Sequence, residues 1–461
     1  MNSTLILMSR LFGLSLFLAT SLVPSAHAQD TPKLPDYVIE AYGTPPQIPK
    51  GALDPTVLAA IKDVVADSID QANWQTSDVH ALETMAATAD PRLAWPLLDM
   101  MKFTWRPEFL AALTHTATQL LEIELKTIRH HAELSDHLIA WDIPAYPSYL
   151  DHKRAVLTNY VKGWDRIFVE GDIDWHLVSW GGVDIDARPY DTTDDLCHCI
   201  PAIDNPKVTS AQAATWLDDD DIVFGIEVNG QFRAYPRRIM EVREMVNDTL
   251  GGRDLGIPYC TLCGAAQAFF TDQLPIGIER PVLRTSGLLI RSNKVMYDIN
   301  TYSVFDTFLG KAVTGPLAKR NLQLKQASVI TTEWGAWKAA HPTTTVLVEA
   351  DALGRDYDLR NTRDAKGPIF PIGDVDPRFA VHDDVIGVLT ASGKPVAFQR
   401  SAAFVALKNG EDIGFENVRL VEDAGGIRAV DVSGADLGSH QAFWFAWSQF
   451  HPETAVWPSA S

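Results

Sequence analysis

Four cysteines carry the chemistry that this sequence can be read for, and all of them lie within residues 197–263 of a 461-residue chain. Cys260-Thr261-Leu262-Cys263 is a Cys-x-x-Cys between an apolar run and Gly264, and Cys197-His198-Cys199 is a tighter Cys-x-Cys. At the first spacing one thiolate can attack while the other resolves the mixed disulfide, and local hydrogen bonds or a cation can lower the attacking pKa. The same residue types suit a metal. Cys260 and Cys263 with Cys197, His198 and Cys199 would form a Cys/His set for zinc, or for cuprous copper with its preference for soft sulfur. The third reading is a non-catalytic binding protein, whose helical N-terminal region presents a partner surface while structural disulfides stabilise the β-rich module. Four cysteines allow three pairings, and the sequence does not choose among them.

Other polar side chains cluster around the Cys-x-x-Cys in sequence. Arg233, Tyr235, Glu244, Asn247, Asp248, Arg284 and Asp298 are candidates to line one pocket. Arg233 or Arg284 beside a thiolate would favour its charged form. Catalytic candidates are therefore Cys260, Cys263, Arg233, Glu244 and Asp298. The competing reading of Asn247-Asp248 is a turn ahead of Gly251-Gly252, and that of the tyrosines is core packing with a satisfied hydroxyl. His115, His130 and His131 read as packed or solvated, because no acidic or cysteine partner stands at ligand spacing.

The elements that must position these residues follow from pattern. Arg10, the apolar run Leu11–Val23 and Ala26-His27-Ala28 predict a cleavable signal peptide over residues 1–28 and a periplasmic or secreted chain. That run is shorter than the roughly 20 residues that span a bilayer. Residues 29–50 read as an extended leader. Residues 51–170 carry helical periodicity broken by Asp54-Pro55, Asp90-Pro91 and Arg106-Pro107, which predicts helical hairpins of HEAT-like type. From Ile222 the pattern is β: two apolar runs flank Asn229-Gly230, a strong hairpin signal. A helix is expected over 237–249, then strands into and out of the cysteine motif, and a helix over 333–340. The fold class expected is α+β.

A segment is repeated within the β-rich region. Trp334-x2-Trp337-x3-His341-Pro342 with Val346 matches Trp444-x2-Trp447-x3-His451-Pro452 with Val456. The segment from Asp384 to Phe398 likewise echoes Asp221 to Tyr235. A duplicated module is the economical account, with residues 171–350 as the cysteine-bearing copy and 351–461 as a shortened copy without cysteines.

The formal charge of −20 argues against nucleic acid and anionic lipid as partners, because such a surface repels phosphate. A protein or small-molecule partner is left open, and no stable membrane insertion is expected once the leader is removed.

Six ordered motifs give a family resemblance. Arg233-Ala234-Tyr235-Pro236, Glu244-x2-Asn247-Asp248, Tyr259-Cys260-x2-Cys263-Gly264, Ser286-Gly287-Leu288, Tyr297-Asp298 with Thr301 and Ser303, and Gly315-Pro316-Leu317 together resemble the DUF3179 family, over roughly residues 184–348. The resemblance implies redox chemistry at Cys260 and Cys263, since some relatives carry selenocysteine in that motif. Two departures stand out. Thr261 follows the first cysteine where proline is frequent, and Arg243 precedes Glu244 where histidine is frequent. The family lends Cys197-His198-Cys199 no role.

Overall fold

The computed structural model describes residues 34–192, 196–349 and 367–458. The expected signal peptide, 1–28, and the expected join between the two copies near residue 350 lie outside them. The chain is α+β, with helices first and a β-rich region after.

The helical region begins earlier than the sequence suggests. Asp36–Tyr42 is a helix where an extended leader is expected, because Val38 reaches the core and the Tyr42 hydroxyl donates to the Gly373 carbonyl at 2.8 Å. The Asp-Pro breaks do start helices. Asp54 caps Pro55–Ile69, its carboxylate accepting from the Thr56 amide at 2.8 Å. Asp90 does the same for Pro91–Leu93, which runs into Ala94–Met101, and Pro107 opens Pro107–Leu121. The apolar faces of these helices form one core that continues onto the β-rich region through Leu288, Val295, Tyr297, Val304 and Val313. Trp164 fastens the join, donating from Nε1 to the Ser286 carbonyl at 2.8 Å.

Among the described residues the β-rich region forms five sheets arranged like the blades of a propeller. Two of them flank the cysteine motif and carry the repeated Trp-x2-Trp segments, one each; these are the first and second Trp sheets. In the first, Ile222–Val228 pairs with Gln231–Pro236 through the Asn229-Gly230 turn, both turn residues having positive φ (50° and 75°). Ile330–Glu333 lies antiparallel on the other side of Ile222–Val228, and Thr345–Leu347 lies parallel to Gln231–Pro236. In the second, Asp384–Leu389 pairs with Pro395–Gln399, His440–Phe443 lies antiparallel to Asp384–Leu389, and Ala455–Trp457 lies parallel to Pro395–Gln399. Each sheet sends off a helix after its second strand (Arg237–Arg243 and Arg400–Lys408) and after its edge strand (Trp334–Ala340 and Trp444–Phe450).

One expected helix is corrected. It ends at Arg243 instead of running to 249, because Glu244 takes a left-handed backbone (φ 53°) and Met245–Leu250 pairs as a strand with Arg253–Cys260. Every residue of this strand but Thr249 is buried, and burial in the sheet outweighs the helical propensity of the segment. Asn247 and Asp248 are accordingly strand residues; the turn falls one step later, at Gly251-Gly252.

Candidate functional site

The strand Arg253–Cys260 delivers Cys260 to the start of a tight turn, and Ala265–Ala266 pairs back onto Tyr259 and Cys260. The Cys263 amide donates to the Cys260 carbonyl at 3.2 Å, which folds the four residues into one turn. The two cysteines in it are bridged to each other, as are Cys197 and Cys199. Cys260 is 3 % exposed and Cys263 is fully buried. The turn is gripped from the second Trp sheet: the Phe443 amide donates to the Cys263 carbonyl at 2.8 Å, and the Phe443 ring would lie 3.0 Å from any Cβ added at Gly264. Gly264 has φ +60°, so both its backbone and its neighbour exclude a side chain there.

Cys260 lines a cavity of about 150 Å³ together with Thr261, Leu262, Glu244, Lys294 and the Ser286-Gly287-Leu288 bend. The left-handed turn at Glu244, forced where helix gives way to strand, aims its carboxylate at this space. Glu244 Oε1 accepts from the Thr261 hydroxyl at 2.9 Å and Oε2 meets Lys294 Nζ at 2.7 Å. Lys294 also donates to the Glu244 carbonyl at 2.8 Å, which accepts from the Tyr259 amide at 2.9 Å as well. Burial pushes the Lys294 ammonium pKa down, and the Glu244 carboxylate works against that shift. The cation beside the cysteine turn is therefore a lysine.

The remaining sequence candidates lie elsewhere. Arg233 pairs with Asp248, and the buried Tyr235 hydroxyl donates to the same carboxylate at 2.7 Å; burial first, and Asp248 second, raises the tyrosine pKa. Arg284 is fully buried and pairs with Asp204, with Asp186 beyond it. Asn247 joins the same network, donating to Asp204 at 2.9 Å and exchanging hydrogen bonds with the backbone of Leu283. Asp298 holds a turn, accepting from the Thr301 amide and hydroxyl at 2.9 and 2.7 Å and from the Val282 amide at 2.8 Å. None of Arg233, Arg284 and Asp298 lines the Cys260 cavity. Of the catalytic candidates the structure brings together Cys260, Cys263 and Glu244.

Cys197 is half-buried, His198 exposed and Cys199 buried, held by the Asp184 amide donating to the His198 carbonyl at 3.0 Å. The neighbouring Ile200 and Val183 reach the Cys260 cavity, whereas the three residues themselves do not line it. Among the described residues no group of three or more His, Cys, Asp or Glu is arranged to hold a metal ion.

Sequence reasoning passed over Lys294 and noted Thr261 only as a departure from the family motif. The available signal was a lysine ahead of the apolar run Val295-Met296-Tyr297 in the strand Asn293–Asp298, all of whose residues are buried. The family described as a protein of unknown function, DUF3179, matches residues 197–438. The chain belongs to the DUF3179 family. The match begins at Cys197, takes in Cys260 and Cys263, and runs on into the second Trp sheet, well beyond the motif-bearing stretch. No curated protein and no solved structure matches the chain. Among the described residues no helix is long and apolar enough to cross a membrane.

Proposed function

We propose that this DUF3179 protein is a thiol–disulfide exchange protein that works through Cys260 and Cys263. One observation carries the reading: Cys260 shares a small cavity with the buried Lys294–Glu244 pair, while the other charged candidates are tied into structural networks. A thiolate entering the cavity attacks Cys260 Sγ; the Cys260–Cys263 bond breaks and Cys263 leaves as a thiolate. A second thiolate from the reductant then attacks the incoming sulfur of the mixed disulfide and releases the Cys260 thiolate. Two electrons pass from the reductant dithiol to the protein, and the two new thiolates take up protons from solvent. Lys294 stabilises negative charge in the cavity, which favours the reduced pair. Thiol counting against buffers of defined potential tests this. A reversible two-electron titration is expected in the full chain, lost in Cys260→Ser. A pair that remains oxidised in excess dithiothreitol sinks the reading, and stoichiometric zinc or copper in the same sample would transfer the cysteines to metal binding.

We also propose export to an oxidising compartment, where bridges such as the two in this chain persist. N-terminal sequencing of the protein from its host is expected to start after Ala28. The two Trp sheets support an internal duplication: strand order, pairing sense and both helix positions agree, and the second tryptophan of each packs alike on its histidine. Trp337 and His341 lie 4.4 Å apart, Trp447 and His451 4.2 Å. The HEAT-like reading of residues 51–170 draws support from successive helix pairs, Pro55–Ile69 on His80–Ala86 and Ala94–Met101 on Pro107–Leu121.

A further inference from the structure

A second, larger space adjoins the cysteine turn on its other side. It is a cleft of about 520 Å³ between the two Trp sheets, within the usual range for small-molecule sites. Thr261 and Glu241 line both the cleft and the Cys260 cavity, so they form a shared wall. The cleft's two sides differ in charge. The second sheet contributes Arg400 and Lys408 from one helix and Asp384 from the start of a strand, and the first contributes Arg237 and Glu241 from its helix and Glu333 from the end of its edge strand. Arg400 is half-buried. Among the described residues it has no carboxylate partner, and its one ring contact is with Phe404 at 5.9 Å. Arg237, at the corresponding place in the first sheet, is already held by Glu241 at 2.6 Å. Lys408 already lies 3.9 Å from Glu422, so the cation available to a ligand is Arg400, on the second-sheet side and facing Glu333 on the first.

A protein disulfide could not enter the 150 Å³ cavity, in which Cys260 is 3 % exposed, without large rearrangement. A slender thiol side chain could. The geometry points to a zwitterionic, amino-acid-derived thiol of up to tripeptide size, or one half of its disulfide, as the ligand of this cleft. Arg400 takes its carboxylate, Glu333 faces its ammonium, and its sulfur passes Thr261 to Cys260. This assignment of substrate rests on the exchange chemistry proposed above. With a disulfide ligand, the reduced Cys260 thiolate attacks one ligand sulfur, forming a mixed disulfide and releasing one ligand thiolate. The Cys263 thiolate then attacks Cys260 Sγ, closing the protein bridge and releasing the second ligand thiolate. Two electrons move from protein to ligand, and both ligand thiolates are protonated by solvent.

S-methylglutathione, which carries the charges and cannot exchange, separates binding from chemistry. Calorimetry on the full oxidised chain is expected to show saturable binding, weakened about ten-fold in Arg400→Ala by loss of a charge-assisted contact. Lys408→Ala, at an exposed position, is expected to weaken it less, and circular dichroism checks that both variants fold. Absence of binding to the unaltered chain, or equal binding to Arg400→Ala, overturns the cleft assignment. The reduced protein is then offered glutathione disulfide or the uncharged bis(2-hydroxyethyl) disulfide. Faster oxidation by glutathione disulfide, with the advantage lost in Arg400→Ala, supports the substrate class. Oxidation by the uncharged reagent without S-methylglutathione binding overturns this inference and leaves the exchange reading standing. Binding of S-methylglutathione with oxidation by neither disulfide overturns the exchange reading, and the substrate class with it.

Discussion

The two Trp sheets are built to one plan and put to different uses. In the first, Gly225 lies opposite Ile330 and beneath Trp337; in the second, Gly387 lies opposite His440 and beneath Trp447. Both tryptophans donate from Nε1 to a threonine seven residues on, Thr344 and Thr454, at 2.9 Å each. Around the first sheet the chain adds the strand pair that carries the cysteines and the ion pair behind them. The second instead presses Phe443 against the cysteine turn and buries two histidines, His440 and His451. The lesson is one of division: the two sheets share a strand order, the cysteines sit beside the first, and the second clamps them from outside.

Acid should expose the difference first. Burial pushes His440 down to about 3, with His451 adding a smaller repulsion, and burial alone pushes His451 down to about 4. Both are neutral when folded, while the unfolded chain takes up protons near pH 6.5. Between about pH 6.5 and pH 4 the unfolded state therefore binds more protons, and stability falls as pH falls. The combined loss at pH 4 is on the order of 5 kcal/mol. Urea midpoints measured across that range check it. His440→Ile, which restores the residue type found at Ile330, is expected to flatten the dependence; an unchanged slope would place the acid sensitivity elsewhere.

The cysteine-bearing half has its own weak point. Lys294→Met leaves the Glu244 carboxylate buried without its cation, and a loss of about 3 kcal/mol is expected. Lys294→Met with Glu244→Gln should recover most of it, because the charge that needed compensation is gone. The same single variant should move the Cys260–Cys263 midpoint to more negative potential, since the reduced pair loses its nearby cation. A stability loss with no shift in midpoint would make Lys294 a purely structural residue.

Much of this was legible in the chain because it is local. The Asn229-Gly230 hairpin, the Asp-Pro helix starts, the Trp-x2-Trp-x3-His-Pro helices and the placement of Cys260 at a strand end all depend on residues close in sequence. What was not legible depends on pairing across the fold. Glu244 ends a helix because Met245–Leu250 finds Arg253–Cys260 as a partner, and no periodicity within 237–249 announces that. Arg233 and Asp298 look available in sequence and are engaged by Asp248 and by a turn. Lys294 belongs to the site only because its strand passes behind Glu244, 50 residues away. The clamp by Phe443 joins residues further apart still.

The tightest test of the shared plan is the smallest in size. A Cβ at Gly225 would stand 2.3 Å from the Trp337 ring, and one at Gly387 would stand 2.1 Å from the Trp447 ring. Alanine at either place lowers the entropy of the unfolded chain, a gain of about 0.4–1 kcal/mol. Overpacking against a ring held by its threonine costs about 1–3 kcal/mol and wins. Gly225→Ala and Gly387→Ala are each expected to destabilise by about 1–2 kcal/mol net, and by similar amounts. Pairing each with its own Trp→Phe, a smaller ring, should give a favourable coupling in a double-mutant cycle, whereas crossing the pairs (Gly225→Ala with Trp447→Phe) should be additive. Unequal costs, or coupling in the crossed pair, would mean that the two sheets share a strand order without sharing the contact that holds it.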